Sequence, residues 1–441
     1  MKTFLKTLLL LIILFSASPS FASKVKVAKA ENNMIAWYIE DHTLPIVTIK
    51  IAFRDCGYAY DPDSVSGLSF MASLLLDEGA GEMDAEEFQK ELSKSAIVMS
   101  FSSDKDNFYV SAKTLSKNLQ KTLDLLTIAI TSPTFDVEPL RNAQNKALIS
   151  LEKKEEDADY IAQREWEKAV YKNHPYSNPL FGRKESIPNI TRADLLNYIK
   201  KNFVRSSAVI SVVGDITKGQ VLDMLDKSFS KIPDAPQSNK SIENFTTFPD
   251  SKTIYVHRNL PQSSIVFGQK AVGIKDKNFY PLHLVNYVLG GGGFESRLVS
   301  EIREKRGLTY SLYSFINRND KSSTLEGYYS TKNSSVKESL DIFWKEINLL
   351  KSGGITKDEL ELAKNYSIGS FPLNMDSYEK LVNYLNFMQI EELGTDFLET
   401  RNEKVKAVNL DEANTAIVEL IDPKKLTIVV VGPNKEKKKD E

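Results

Sequence analysis

Histidine is scarce in this chain: His42, His174, His257 and His283 are all it has. No two of them stand four apart. The H-x-x-x-H spacing that places two imidazoles on one face of a helix, within reach of one zinc ion, is therefore missing. Cysteine is scarcer still. Cys56 stands alone, which excludes an internal disulfide. No His or Asn cue adjoins it, so it reads as a small buried apolar residue rather than a nucleophile. Ser69 and Ser73 lack the Gly-x-Ser-x-Gly elbow that a self-sufficient serine hydrolase would need. Basic residues are scattered, and the formal net charge is −2, so nothing points to nucleic acid. The one long apolar run, Leu8–Phe15, is too short for an ordinary spanning helix.

That run has a different use. Lys2 and Lys6 precede it, and Ser20-Phe21-Ala22 follows as a small-x-small cleavage site. Residues 1–22 are expected to be a secretory signal peptide, which makes the mature chain periplasmic. Cleavage leaves 441 − 22 = 419 residues, with no later transmembrane segment and enough length for two full cores.

The mature chain alternates strand and helix patterns. Leu44–Phe53 is β-branched and alternating, a strand. Gly67–Leu76 is an apolar helix, and Asp84–Leu92 is a helix with Asp84 and Glu87 spaced as a capping box. Ile97–Phe101 and Asn107–Lys113 read as paired strands, followed by helices over Ser116–Ser132, Val137–Glu156 and Asp159–Tyr171. Ser206–Val213 is an apolar strand ending at Gly214, and Val221–Phe229 a helix. Lys231–Ser251 carries three prolines and little apolar content, and is read as a linker. The second half repeats the first. Val209–Val213 before Gly214 corresponds to Thr427–Val431 before Gly432, an offset of 432 − 214 = 218. Ala143-x-Asn145 and Ser150 correspond to Ala363-x-Asn365 and Ser370, an offset of 370 − 150 = 220. The expected fold is α+β: two homologous domains of about 210 residues, each a mainly antiparallel sheet packed with helices. They are placed at 23–230 and 252–434, joined by the linker at 231–251 and followed by a charged tail at 435–441.

Leu289–Phe315 is the stretch that carries a motif. An apolar helix with Pro281 near its start is stopped by Gly290, Gly291, Gly292 and Gly293, whose backbone entropy disfavours continuing it. Phe294, Leu298 and Ile302 recur every four residues and predict one buried stripe on a second helix. Gly307 caps that helix, and Thr309–Phe315 has strand character. Arg303 and Tyr310 stand seven apart across the corner, where a reversal at Gly307 would bring their heads together. On the residues alone, a dipole-complementing arginine and a packing tyrosine explain them as well.

This glycine turn, followed by Ser296-Arg297-Leu298 and an Arg–x6–Tyr pair, resembles the second-half signature of the pitrilysin/insulysin zinc peptidases, the inverzincins, which include the mitochondrial processing peptidase. The resemblance covers nearly the whole mature chain. It implies that Arg303 and Tyr310 bind the backbone of an extended peptide substrate opposite a zinc site, with Gly290–Gly293 letting the substrate approach closely, and that the two domains form one half of a clamshell. The family's metal motif, H-x-x-E-H on a helix, is absent. Aligned on Gly67, Phe70 and Leu74 stand where its histidines would be and Ser73 where its glutamate would be. Ser150 stands at the later carboxylate position, with Glu152 a less apt match. Phe70 and Leu74 are read as core residues. The combination resembles the non-catalytic subunit of the two-chain bacterial members: no metal or cofactor in this chain, and zinc in a homologous partner that carries the motif. An alternative of a different class is a proteolytically inactive peptide-binding or scaffold protein of the same fold.

Overall fold

The computed structural model describes residues 24–236 and 241–433. The expected signal peptide and charged tail lie outside them. The first half builds a six-stranded sheet from β1 (Lys26–Lys29), β2 (Ile35–Glu40), β3 (Ile46–Phe53), β4 (Val98–Ser103), β5 (Phe108–Leu115) and β6 (Ala208–Gly214), in the order β1-β2-β6-β3-β5-β4. The second half builds a five-stranded sheet from β7 (Lys252–His257), β8 (Gln262–Lys270), β9 (Leu312–Asn319), β10 (Ser322–Lys332) and β11 (Thr427–Gly432), in the order β7-β11-β8-β10-β9. With β1 set aside, the two orders match strand for strand. In each sheet one pair is parallel, β2–β6 and β7–β11, and the remaining pairs are antiparallel. The repeated apolar stretch before Gly214 and Gly432 is thus the same strand in the same place. The fold is α+β, as expected.

The first half carries helices α1 (Leu68–Leu75), α2 (Ala85–Lys94), α3 (Leu119–Thr131), α4 (Val137–Glu156), α5 (Ala158–Tyr171), α6 (Arg192–Asn202) and α7 (Lys218–Asp223). The second carries α8 (Phe279–Asn286), α9 (Val336–Gly353), α10 (Lys357–Gly369), α11 (Tyr378–Ile390), α12 (Phe397–Ala407) and α13 (Leu410–Leu420). The capping box at Asp84 forms: its carboxylate accepts the Glu87 N–H at 2.9 Å. Thr191 and Asp194 make another, starting α6. One face of each sheet is buried by helices of its own half, as where Phe53 of β3 stacks on Phe203 at 4.2 Å.

The other face of each sheet is covered by a helix from the opposite half. α5 leaves the first half and lies over β8 and β11, while α11 leaves the second and lies over β3 and β6. Trp166 of α5 donates its indole N–H to the Thr427 carbonyl at 3.1 Å. From α11, the Asn386 amide donates to the Val209 carbonyl at 3.1 Å, and the Gln389 amide to the Ile210 carbonyl at 2.9 Å and Ser211 Oγ at 2.6 Å. Covered on both faces, the central strands have no solvent side. That is why β11 is buried at every residue and why both β6 and β11 read as near-continuous apolar runs.

The segment between Lys231 and Lys252 has no helix or strand after its first residue, among the described residues, yet it is packed rather than free. Ile242 and Phe248 are buried, and the Phe245 ring lies 5.0 Å from Tyr171 and 5.3 Å from His174. His174 also reaches the Glu243 carbonyl at 2.8 Å, so this lone histidine pins a loop. Beside it runs a polar seam between the halves. Asp106 accepts the Asp320 N–H at 2.9 Å and the Tyr176 hydroxyl, and that hydroxyl accepts the Lys321 N–H at 2.7 Å. Lys105 and Glu167 form a buried ion pair at 2.6 Å, which Arg164 joins. Cys56 is fully buried, its thiol aimed at the Phe53 carbonyl at 3.1 Å, and burial pushes its pKa up.

Candidate functional site

The glycine run does not stop its helix at once. α8 continues as one wide turn over Tyr287–Gly291. A Cβ on Gly290 would fall 2.7 Å from Ser314 Oγ, one on Gly291 2.7 Å from Asn286 Nδ2, and one on Gly292 2.7 Å from the Tyr287 carbonyl oxygen. These three glycines therefore answer to the chain's own packing, tightened where Ser314 Oγ donates to Asn286 Oδ1 at 2.6 Å. Gly293 differs: its φ is +57° and a Cβ there would meet nothing within 4 Å.

The expected stripe loses its first member. Leu298 and Ile302 are fully buried, but Phe294 is 60% exposed, in the short turn Gly293–Glu295 that precedes the helix. A second wide turn over Val299–Glu304 follows, so a four-residue period cannot be carried back to Phe294. Gly307 closes the helix at φ +61°, its N–H donating to the Arg303 carbonyl at 2.7 Å and that of Leu308 to Ile302 at 3.0 Å. The strand then starts at Leu312 rather than Thr309. Thr309 Oγ1 donates to the Ser311 carbonyl at 2.9 Å and accepts the Ser311 N–H at 3.3 Å, a local turn that competes with the ladder.

Tyr310 therefore projects from a bend before the strand. It is 83% exposed, and its hydroxyl has no hydrogen-bond partner among the described residues. Arg303 is partly exposed, its guanidinium 4.5 Å over the Phe294 ring and 3.6 Å from Glu304. The Arg303 guanidinium rests on the Phe294 ring, and Arg303 and Tyr310, which flank Gly307 in sequence, are both open to solvent.

The positions aligned with the metal motif fall on α1 and α4, which pack together. Phe70 is half-buried and meets Phe181 edge-on at 5.1 Å, with Lys154 4.4 Å over the other ring. Ser73 Oγ turns back to the Phe70 carbonyl at 2.7 Å. Ser150 is half-buried on α4, and Glu152 is exposed. Leu74 is 37% exposed, so it is not the core residue expected: its side of the short helix is left uncovered. A phenyl ring, an aliphatic chain and two hydroxyls are no donor set for zinc. Among the described residues, no three of His, Cys, Asp or Glu form a metal-holding group.

Comparison with known families matches residues 36–184 to Insulinase (Peptidase family M16) and residues 189–367 to the Peptidase M16 inactive domain, together well over half of the chain. The chain belongs to the peptidase M16 family. A relative named as the non-peptidase homolog YmxG of Helicobacter pylori is 28% identical, over all of both chains. The crystal structure of a peptidase M16 inactive domain from Pseudomonas fluorescens has a TM-score of 0.87 at 24% identity, covering 93% of this chain and 98% of that one. The periplasmic protease PqqL from Escherichia coli has a TM-score of 0.80 at 16% identity, covering 94% of this chain and 46% of PqqL. These two structures share this chain's fold.

Four further residues shape these two places: Asn286 and Ser314, which lock the glycine run, and Phe181 and Lys154, the first packed against Phe70 and the second over the Phe181 ring. A conspicuous Asn before a glycine run was the available signal for the first pair. The second pair has no local signature, since Phe181 reaches α1 only through the tertiary fold.

Proposed function

We propose that this M16 chain is the non-catalytic, substrate-binding subunit of a heteromeric zinc metallopeptidase that cleaves peptides in the periplasm. Arg303 and Tyr310 hold the substrate main chain, and Gly293 leaves a bare stretch of backbone beside them. A homologous partner with the H-x-x-E-H motif supplies the zinc. The observation that carries the reading is Tyr310: a large aromatic side chain held 83% exposed, with its hydroxyl unpaired among the described residues, seven residues after a partly exposed arginine. Its exposure removes the packing explanation for that tyrosine. At the metal-aligned positions stand Phe70, Ser73, Leu74 and Ser150, so the zinc and the water it activates come from the partner. The periplasmic setting rests on the pattern of residues 1–22, and the domain limits remain those placed at 23–230 and 252–434.

The test is co-expression with an M16 paralogue from the same cell that carries H-x-x-E-H, assayed on short quenched-fluorescence peptides. Arg303→Ala and Tyr310→Phe should lower turnover while the complex still elutes intact. If a lost donor served transition-state charge, the drop is on the order of 10²–10³. Unchanged turnover in both variants refutes the role of the pair. The scaffold reading is favoured by the description of the Helicobacter pylori relative as a non-peptidase homolog. It predicts an intact complex that cleaves nothing.

A further inference from the structure

We propose that the cleft between α8, α10, α11 and β9 binds a carboxylate carried on an apolar or aromatic body: the C-terminus, or an acidic side chain, of a peptide. This rests on the peptide-binding reading above and gives it a second anchor. The cleft has a volume of about 780 Å³, within the range of small-molecule sites. Gly291, Asn286 and Ser314 line it, so it opens beside the glycine run.

Its charge is one-sided. Arg318, Arg401 and Lys380 line the cleft, and no aspartate or glutamate does. Lys380 is answered by Asp376 at 2.9 Å. The two guanidinium groups are not answered by any ion pair among the described residues. Arg401 is buried and held by neutral acceptors only: the Ser367 carbonyl at 2.8 Å, Ser367 Oγ at 2.7 Å and Asn402 Oδ1 at 2.9 Å, with the Phe371 ring 4.5 Å away. Arg318 lies 4.4 Å from the Phe387 ring centre and 5.9 Å from that of Phe279. It makes no hydrogen bond among the described residues, and Glu391 acts on it only through space.

Both cations bear on the same group. Burial, then Arg401 and Arg318, push His283 down to about 4, so the imidazole facing Ser367 Oγ at 3.2 Å is neutral at ordinary pH and adds no competing charge. The Tyr280 hydroxyl, in the same wall, is buried without a partner among the described residues. The buried Arg401 guanidinium has no counter-ion, in a concave site that Arg318 also lines and aromatic rings wall, and that is unfavourable when empty. An arginine fork suits a carboxylate better than any other common anion except phosphate, and the aromatic walls favour an organic carboxylate over the more hydrated phosphate.

The experiment uses the full chain and three fluorescein-labelled hexapeptides with phenylalanine next to the last residue: one with a free C-terminus, one amidated, and one amidated with an internal glutamate. Fluorescence anisotropy should give the free acid at least about tenfold tighter than the amide, the scale of one charge-assisted contact. Arg318→Gln should erase that difference while leaving the amide's Kd unchanged. Tighter binding of the glutamate peptide than of the plain amide, also erased by Arg318→Gln, names the side chain as the source. Equal affinity for all three peptides, a preference for either carboxylate that survives Arg318→Gln, or no saturable binding of either carboxylate peptide overturns the cleft. The amidated peptide's dependence on Arg303→Ala tests the corner separately. Arg318 is exposed, so the variant should fold, which its melting temperature checks.

Discussion

Gly268 and Trp166 offer the sharpest test of how the two halves are joined. Alanine at Gly268 would put a methyl group 2.5 Å from Trp166 Cζ2 and 3.0 Å from the Leu325 carbonyl oxygen. Carbon–carbon contact is ordinarily about 3.5–4.0 Å, so the overlap is about 1 Å. The indole has little freedom to retreat, since it is fully buried and its N–H is held by Thr427 at 3.1 Å. Overpacking costs about 1–3 kcal/mol, and two stiff neighbours put Gly268→Ala near the top of that range. Trp166→Ala alone should cost about 3–5 kcal/mol, for the emptied volume. In the double variant the methyl enters space that the indole has left, and only its approach to Leu325 remains. The double loss should therefore fall short of the sum by about 2 kcal/mol, against the ~0.5 kcal/mol within which independent sites add. Urea denaturation followed by circular dichroism measures all three. Additive losses would refute the claim that α5 seats its indole on the bare backbone of β8.

Asp61 supplies a pH test. Its carboxyl accepts the Gly67 and Ser69 N–H groups at 3.1 Å at the start of α1, and burial pushes it up to about 7. In the unfolded chain it titrates near about 3.9, so the folded state binds the proton more tightly and stability falls as pH rises from about 4 to 7. Asp61→Asn should flatten melting temperature against pH over that window; an unchanged profile refutes this. Lys105→Met strands one side of a buried pair, but Glu167 keeps Arg164. The loss should be near about 3 kcal/mol, the low end for broken buried pairs, and a loss under about 1 kcal/mol by urea denaturation would contradict it. Tyr310→Phe should shift stability by less than about 0.5 kcal/mol, since the side chain packs on little, so any effect on turnover would be functional.

Strands and helices with a clear period were legible. Val137–Glu156 forms with the bounds its sequence suggested, and Asp84 caps as its spacing implied. The shared offset between halves found β6 and β11, because a strand buried on both faces carries an unmistakable apolar run. Misplacements occurred where backbone geometry departs from a fixed period. Wide turns before Gly292 and over Val299–Glu304 threw Phe294 off its stripe, and a side-chain bond at Thr309 delayed the strand beyond Tyr310. Leu74 looked like core because its neighbours are, yet α1 is too short and too lightly covered to bury it. Nothing local in α5 or α11 says whose sheet it will cover. Nor does anything announce that Arg318 and Arg401 will share a cleft, since that depends on where β9 meets α12 in space.

The trading of α5 for α11 has a mechanical result. Each half is clasped by an arm of the other, so the polypeptide cannot gape along its own middle as a purse does at its hinge. Residues 231–251 tie together two bodies already in mutual embrace, and a cut there would part the backbone without freeing either piece.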